Sequence, residues 1–130
     1  MTLETDRRTR DYLYGRLLAI AEHLEGVALW LADEKRDTTA ARLMQRFSDH
    51  PYSTWLNIEK ALQPYKSRLQ VKARSFLFRM TRLLDEVHDL FAPDEYMDDQ
   101  PLAGEYLLAY HCQRRALQER AEDEQNGQDS

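Results

Sequence analysis

The 130-residue chain contains one cysteine, four glycines and four prolines. A lone Cys112 excludes an internal disulfide framework and suits a reducing compartment. So little glycine and proline leaves little turn chemistry, and no Asn-Gly or Asp-Gly hairpin signal precedes the last few residues. Strand-like alternation is missing as well, so the expected fold is all-α. No apolar run approaches the ~20 residues that span a bilayer, and Met1–Arg8 does not read as a signal peptide. We therefore expect a soluble, cytoplasmic protein without a membrane partner. A phosphate-cradling glycine loop, a serine elbow and an HExxH pair are all absent. The length fits one domain with a moderate core, with residues 1–121 forming a helical bundle and the polar stretch 122–130 a disordered tail.

Acidic residues are missing from one long segment, Lys60 through Arg82. That gap belongs to a wider asymmetry. Residues 1–82 carry fifteen Lys and Arg against ten acids, a balance of +5, whereas residues 83–130 carry three against thirteen, a balance of −10. The modest net charge of −5 thus conceals a polarised chain. One surface suits phosphates and another repels them.

Hydrophobic periodicity places about five helices. Leu13, Leu17, Ile20, Leu24, Val27, Ala28 and Leu31 form one stripe on a first helix over Thr5–Leu31, with Thr5 or Asp6 as its cap. Asp33–Arg36 reads as a loop. A second helix starts at Asp37 or Thr38, turns Ala41, Met44 and Phe47 inward, and ends near Asp49. Pro51 opens a short third helix with Trp55, Ile58 and Leu62 inside, and Pro64 opens the longest, reaching Phe91. The inner face of that long helix comprises Leu69, Ala73, Phe76, Met80, Leu83, Leu84, Val87 and Phe91. The acidic stretch 94–99 is a solvated loop. Asp99 and Pro101 begin a fifth helix, with Ala103, Tyr106, Leu107, Tyr110, Leu117 and Ala121 inward.

On the long helix, Arg68, Lys72, Arg79 and Arg82 fall on one stripe, a ladder about 21 Å long at 1.5 Å per residue. Such a ladder can follow a phosphate backbone without reading bases. Arg42 and Arg46, four apart on the second helix, widen it. The alternative is a solvated helix face, though such faces usually mix signs to form i,i+4 pairs. Trp30, Tyr12, Tyr52, Trp55 and Tyr65 are candidates to stack on bases; their alternative is core or rim packing. Val71 and Phe78 lie away from the apolar stripe and suggest a protein interface.

Catalytic constellations are weak. His88-Asp89, with Asp85 one turn earlier, resembles a phosphohydrolase dyad, and a metal site would have to draft His23, His50 or Asp98 from elsewhere. His88 projects off its apolar face, so a surface histidine is the plainer reading. His111 and Cys112 point about 100° apart on a helix and do not face each other. The loop at 94–99 lacks the alternating oxygen ligands of a calcium loop. We expect no enzyme, metal, cofactor or small-molecule substrate.

Three regions of the chain, its opening, middle and closing parts, resemble a known family. Asp11-Tyr12-Leu13-Tyr14-Gly15-Arg16-Leu17-Leu18-Ala19-Ile20-Ala21 is similar to the opening of the C-terminal helical region of the CRISPR type I-C large subunit. Arg36-Asp37-Thr38-Thr39-Ala40-Ala41-Arg42-Leu43-Met44 and Trp55-Leu56-Asn57-Ile58-Glu59 with Pro64-Tyr65 resemble its middle. Pro101-Leu102-Ala103-Gly104-Glu105-Tyr106-Leu107-Leu108-Ala109-Tyr110-His111-Cys112-Gln113-Arg114 resembles its closing helix. Thr39 stands where the pattern leads us to expect asparagine, and Ala109 where we expect glycine.

The resemblance covers only the end of that large protein. This end is also made separately, from an internal start, as the small subunit of the Cascade complex, and a chain beginning at Met1 suits that product. The resemblance implies a non-catalytic subunit that packs on the backbone and large subunits and on further copies of itself. It would hold target DNA of the R-loop and meet the crRNA indirectly. The DNA-contacting residues are nominated by helix geometry and not by the resemblance. The rival readings are a protein-only helical adaptor and a metal-dependent phosphohydrolase.

Overall fold

The computed structural model describes residues 2–128, with side chains through Arg120. Among the described residues there are six helices and no strands: α1 (Arg10–Leu31), α2 (Thr39–Arg42), α3 (Met44–Asp49), α4 (Pro51–Lys72), α5 (Arg74–Asp89) and α6 (Glu105–Gln128). The all-α expectation holds. None of these helices is long and apolar enough to cross a membrane.

α1 is the axis of the bundle. Its run from Tyr12 to Ala21 is buried without interruption, because α4, α5, α6 and α2 surround it. A helix apolar on all sides belongs at the centre of a fold, so the single stripe read from the sequence understates its burial. Leu13, Leu17, Ile20, Leu24 and Ala28 are core; Val27 is half-buried and Leu31 exposed. The closest approach is to α6. A Cβ on Gly15 would lie 2.1 Å from the Tyr106 carbonyl oxygen and 2.8 Å from Ala109 Cβ. Only glycine lets the two backbones meet there.

The ends of α1 differ from the sequence expectation. The helix starts at Arg10, and residues 5–6 form a separate turn, so neither Thr5 nor Asp6 caps it. The segment before it is held by its own contacts: Glu4 N–H donates to the Tyr12 hydroxyl at 2.9 Å. Thr9, in the cap position, instead donates its hydroxyl to Glu105 of α6 at 2.8 Å. At the other end Asp33 adopts φ 54°. Its N–H bonds to the Trp30 carbonyl, and Glu34 N–H bonds to that of Leu29. This paired closure satisfies the last carbonyls of α1, with aspartate in the left-handed position that glycine usually takes.

Of the two caps the sequence offers, Asp37 and Thr38, it is Thr38 that caps the second helical segment: its Oγ1 accepts the Ala41 N–H at 3.1 Å. A turn at Leu43 divides that segment into α2 and α3. Ala40 and Phe47 therefore point inward, Met44 is half-buried, and Ala41 is exposed. Glu25 of α1, 1% exposed, accepts the Thr39 N–H and, at 2.7 Å, the Thr39 hydroxyl. The carboxylate thus satisfies an otherwise orphaned N–H at the start of α2.

The largest departure lies in α4 and α5. Pro64 does not open a helix; it sits inside α4, which runs unbroken from Pro51 to Lys72. An interior proline costs about 3 kcal/mol through its missing N–H and its ring clash. Ile58, Leu62, Tyr65 and Leu69 are buried on the same helix, and each such side chain contributes roughly 1.5–3 kcal/mol. Burial therefore outweighs the local penalty, and Pro64 itself is exposed. The break falls at Ala73 instead (φ −152°, ψ 60°). It forfeits little, because Ala73 N–H still reaches the Leu69 carbonyl at 2.8 Å and its own carbonyl accepts from Leu77 at 3.0 Å. Beyond it, Leu77, Met80 and Val87 are buried, while Phe76, Leu83, Leu84 and Phe91 pack partly buried against the core.

The acidic stretch at 94–99 is not merely solvated. Arg10 donates to the carbonyls of Asp98, Gln100 and Pro101, and the Tyr14 hydroxyl donates to that of Tyr96. Asp99 accepts from Ser53 N–H at 3.1 Å and from its hydroxyl at 3.0 Å. It therefore caps α4, 46 residues away in the chain, and not a fifth helix at Asp99–Pro101. The closing helix begins only at Glu105, with Ala103 exposed and Leu107 at the surface. Tyr106, Tyr110 and Leu117 are buried as expected. The backbone of α6 continues to Gln128; the side chain of Ala121 and the tail expected over 122–130 lie outside the residues whose side chains are described.

Candidate nucleic-acid interface

The break at Ala73 divides the proposed cation ladder between two helices, with Arg68 and Lys72 on α4 and Arg79 and Arg82 on α5. A single rod bearing all four is therefore corrected to an elbow with two cations on each arm. Their environments differ. Arg68 is half-buried, its guanidinium 5.5 Å from the centre of the Tyr65 ring. Its Nη1 lies 3.5 Å from Glu34 Oε1, an ionic contact without hydrogen-bond geometry. Arg36 approaches the same Tyr65 ring at 5.4 Å and the same Glu34 at 3.6 Å. Lys72, the last residue of α4, is exposed. Arg82 is exposed and donates to Glu86 one turn on at 3.3 Å. Arg79 is half-buried and close enough to His23 to act on its charge. Burial pushes the His23 imidazole below its usual range; Glu22 opposes that shift and Arg79 adds to it.

Arg42 and Arg46 are exposed, on α2 and α3 respectively. Arg42 Nη2 leans back 3.3 Å to Thr39 Oγ1, so the threonine found in place of the expected asparagine joins Glu25, the α2 backbone and Arg42. Arg74, at the start of α5, is exposed as well. Counting along one continuous helix face passes over it; the acid-free run 60–82 contains it and was the available signal.

Val71 and Phe78 are both at the surface, 82% and 65% exposed, one on each side of the elbow. Cys112 is buried and unpaired, and His111 is exposed. His88 is exposed, with Nδ1 3.8 Å from Asp89 Oδ1 and its ring edge-on to Tyr96 at 4.5 Å. It borders a recess of about 260 Å³ with Glu59, Lys66 and Asp85. Among the described residues, no three His, Cys, Asp or Glu side chains converge in a geometry that would hold a metal ion. His23 and His50, drafted as further ligands, sit apart: His23 packs on Phe76 at 5.4 Å and His50 lies 3.6 Å from Asp99.

Two polar pairs close the α1–α6 seam, one buried and one part-buried at the edge of a cleft. Arg16 of α1, 4% exposed, donates through Nε to Gln113 of α6 at 2.7 Å. Desolvation lowers its affinity for the proton, opposed by Tyr12 and Glu86. The Tyr110 hydroxyl donates to Glu22 at 2.6 Å; burial, with the carboxylate beside it, raises the phenol far above its usual range. Both groups serve the α1–α6 seam.

No curated protein matches the chain. Residues 1–118 match the family described as CRISPR-associated protein (Cas_Csd1). That match takes in all of α1 to α5, the anchored acidic stretch and the packed part of α6, and the chain belongs to this CRISPR-associated family.

Proposed function

We propose that the chain is a non-catalytic small subunit of a crRNA-guided type I-C interference complex in the cytoplasm, and that it holds R-loop DNA through its phosphates. The supporting observation is the acid-free run 60–82, which the fold turns into the elbow between α4 and α5 with Lys72, Arg74 and Arg82 exposed around it. Membership of the CRISPR-associated family supplies the biological context. Exchange of a DNA duplex for an RNA–DNA hybrid is nearly balanced, so a few phosphate contacts shift R-loop occupancy substantially. Arg42 and Arg46 extend the cationic surface. Val71 and Phe78 serve as contacts to backbone or large subunits or to further copies of the chain. The acidic second half faces solvent or basic partners and keeps DNA on one track.

The test is the double substitution Lys72→Glu with Arg82→Glu, assayed by R-loop formation across a salt series. The complex is expected to assemble while target affinity falls. The slope of log affinity against log salt should flatten by about 0.7–0.9 for each phosphate that is no longer neutralised. Unchanged affinity and slope would remove the elbow from the mechanism. The adaptor alternative expects partner binding that is equal with and without nucleic acid.

A further inference from the structure

We propose that the cleft between α1, the segment 36–44 and α6 receives an unstacked base of single-stranded nucleic acid, with the Trp30 indole as its stacking platform. This rests on the reading above and adds a second kind of contact to it, to base faces as well as to phosphates.

Folding discriminates sharply among the aromatic candidates. Tyr12, Trp55 and Tyr65 are 1%, 3% and 7% exposed, and Tyr52 is half-buried with its ring edge-on to Tyr96 at 5.4 Å. Trp30 alone of the five is 77% exposed. It stands in the last turn of α1, where the Asp33 closure ends the helix and fixes the backbone that carries the indole. An exposed indole on ordered backbone offers a π-face at little entropic cost, which base stacking requires.

The space beside it has suitable size and chemistry. The cleft measures about 550 Å³, within the range of small-ligand pockets. Val27 and Met44 give it an apolar wall, and Arg36 and Arg114 supply two guanidiniums. Its acids are partly compensated: Glu22 accepts from Tyr110 and lies 3.7 Å from Arg114. Arg36 leads outward, since it shares the Tyr65 ring with Arg68 of α4. A strand with one base against Trp30 can therefore run its phosphates past Arg36 toward Lys72, with Glu34 holding part of the charge of Arg36 and Arg68 on the way. Stacking is indifferent to which base is present, so this contact is as sequence-tolerant as the phosphate contacts.

The experiment compares two fluorescent single-stranded oligodeoxynucleotides of equal length, one with bases and one abasic. Each is titrated with the full chain, alone and co-assembled with the CRISPR-associated proteins that co-purify with it. Trp30→Ala should weaken binding of the base-bearing strand about 5- to 150-fold, the range of one base–aromatic stack. It should leave abasic binding and the salt slope unchanged, because the indole carries no charge. Trp30→Phe should restore most of the affinity. The base-bearing strand should quench tryptophan emission of the wild type but not of Trp30→Phe, which retains only the buried Trp55. Equal wild-type affinity for both strands, unaltered by Trp30→Ala, would overturn the stacking site and leave the phosphate reading standing. Failure of both strands to bind in either setting would overturn both. Intact DNA binding by Trp30→Ala, with loss of the co-purifying proteins, would make Trp30 a protein anchor and overturn the inference.

Discussion

The seam between α1 and α6 and the elbow between α4 and α5 solve opposite problems. At the seam, Gly15 brings two backbones into contact and Arg16, Glu22, Tyr110 and Gln113 are paired within it. What the seam leaves open is its edge, where Glu22, Tyr110 and Arg114 border the cleft beside Trp30. At the elbow the chain turns without a proline or a side-chain cap, and Val71, Lys72, Arg74 and Phe78 stand in solvent. The contrast separates packing that makes the molecule a folded body from a surface that packing does not need. It also predicts that substitutions act on different observables: stability inside the seam, at Gly15 and Arg16, and association at the elbow.

The seam should break first. Gly15→Ala places a Cβ 2.1 Å from a backbone oxygen, and backbone cannot swing aside as a flexible side chain can. We expect a destabilisation of at least about 3 kcal/mol, the upper end for overpacking, seen as a fall in the denaturant midpoint. Adding Ala109→Gly should recover only part of it, because the Tyr106 carbonyl remains in the way. Glu25→Ala comes next. It strips the Thr39 N–H and hydroxyl of their buried acceptor, at an expected cost of about 2–3 kcal/mol in thermal or chemical unfolding. Glu25→Gln should recover about half, since one amide oxygen still accepts.

The elbow is sharpened by Pro64→Ala. If α4 runs through Pro64, the substitution restores an N–H and relieves the ring, worth about 3 kcal/mol. It also returns up to about 1 kcal/mol of entropy to the unfolded chain. The net expectation is a gain of about 2 kcal/mol in urea unfolding. A proline at a helix start would give no such gain, so a neutral result would contradict the continuous α4. The smallest effect concerns Asp99. Burial works against its ionisation, but Ser53 N–H and hydroxyl, the Tyr52 backbone and His50 together hold its carboxyl below the usual range. A depressed folded value means the stabilisation exists above the unfolded value near pH 4 and is lost as pH falls through the folded one. The group is partly exposed, so screening leaves only a few tenths of a kcal/mol. Asp99→Asn should lower the melting temperature slightly at pH 7 and not at all at pH 2.

Much of the elbow was legible as chemistry but not as shape. The run 60–82 announces its charge by composition, and Val71 and Phe78 fall off the apolar stripe under either helix assignment. The position of the turn was not legible, because proline is the strongest local breaker and Ala73 carries no breaking signal. The same limit applies to Asp99, whose partner Ser53 is distant in the chain, and to Glu25, whose partner Thr39 lies 14 residues on, beyond any neighbour on its own helix.

Composition and periodicity were enough to determine an all-α chain with Leu17, Leu24, Ile58 and Leu62 in its core, a helix starting at Asp37 or Thr38 and a polarised charge. Those properties depend on what each residue is and on neighbours three or four positions away. Tertiary structure alone decided that α4 passes through Pro64, that the cation ladder bends at Ala73, and that Trp30 is the exposed aromatic of the five. In each case burial or contact with a distant segment outweighs, or has no counterpart in, the local preference.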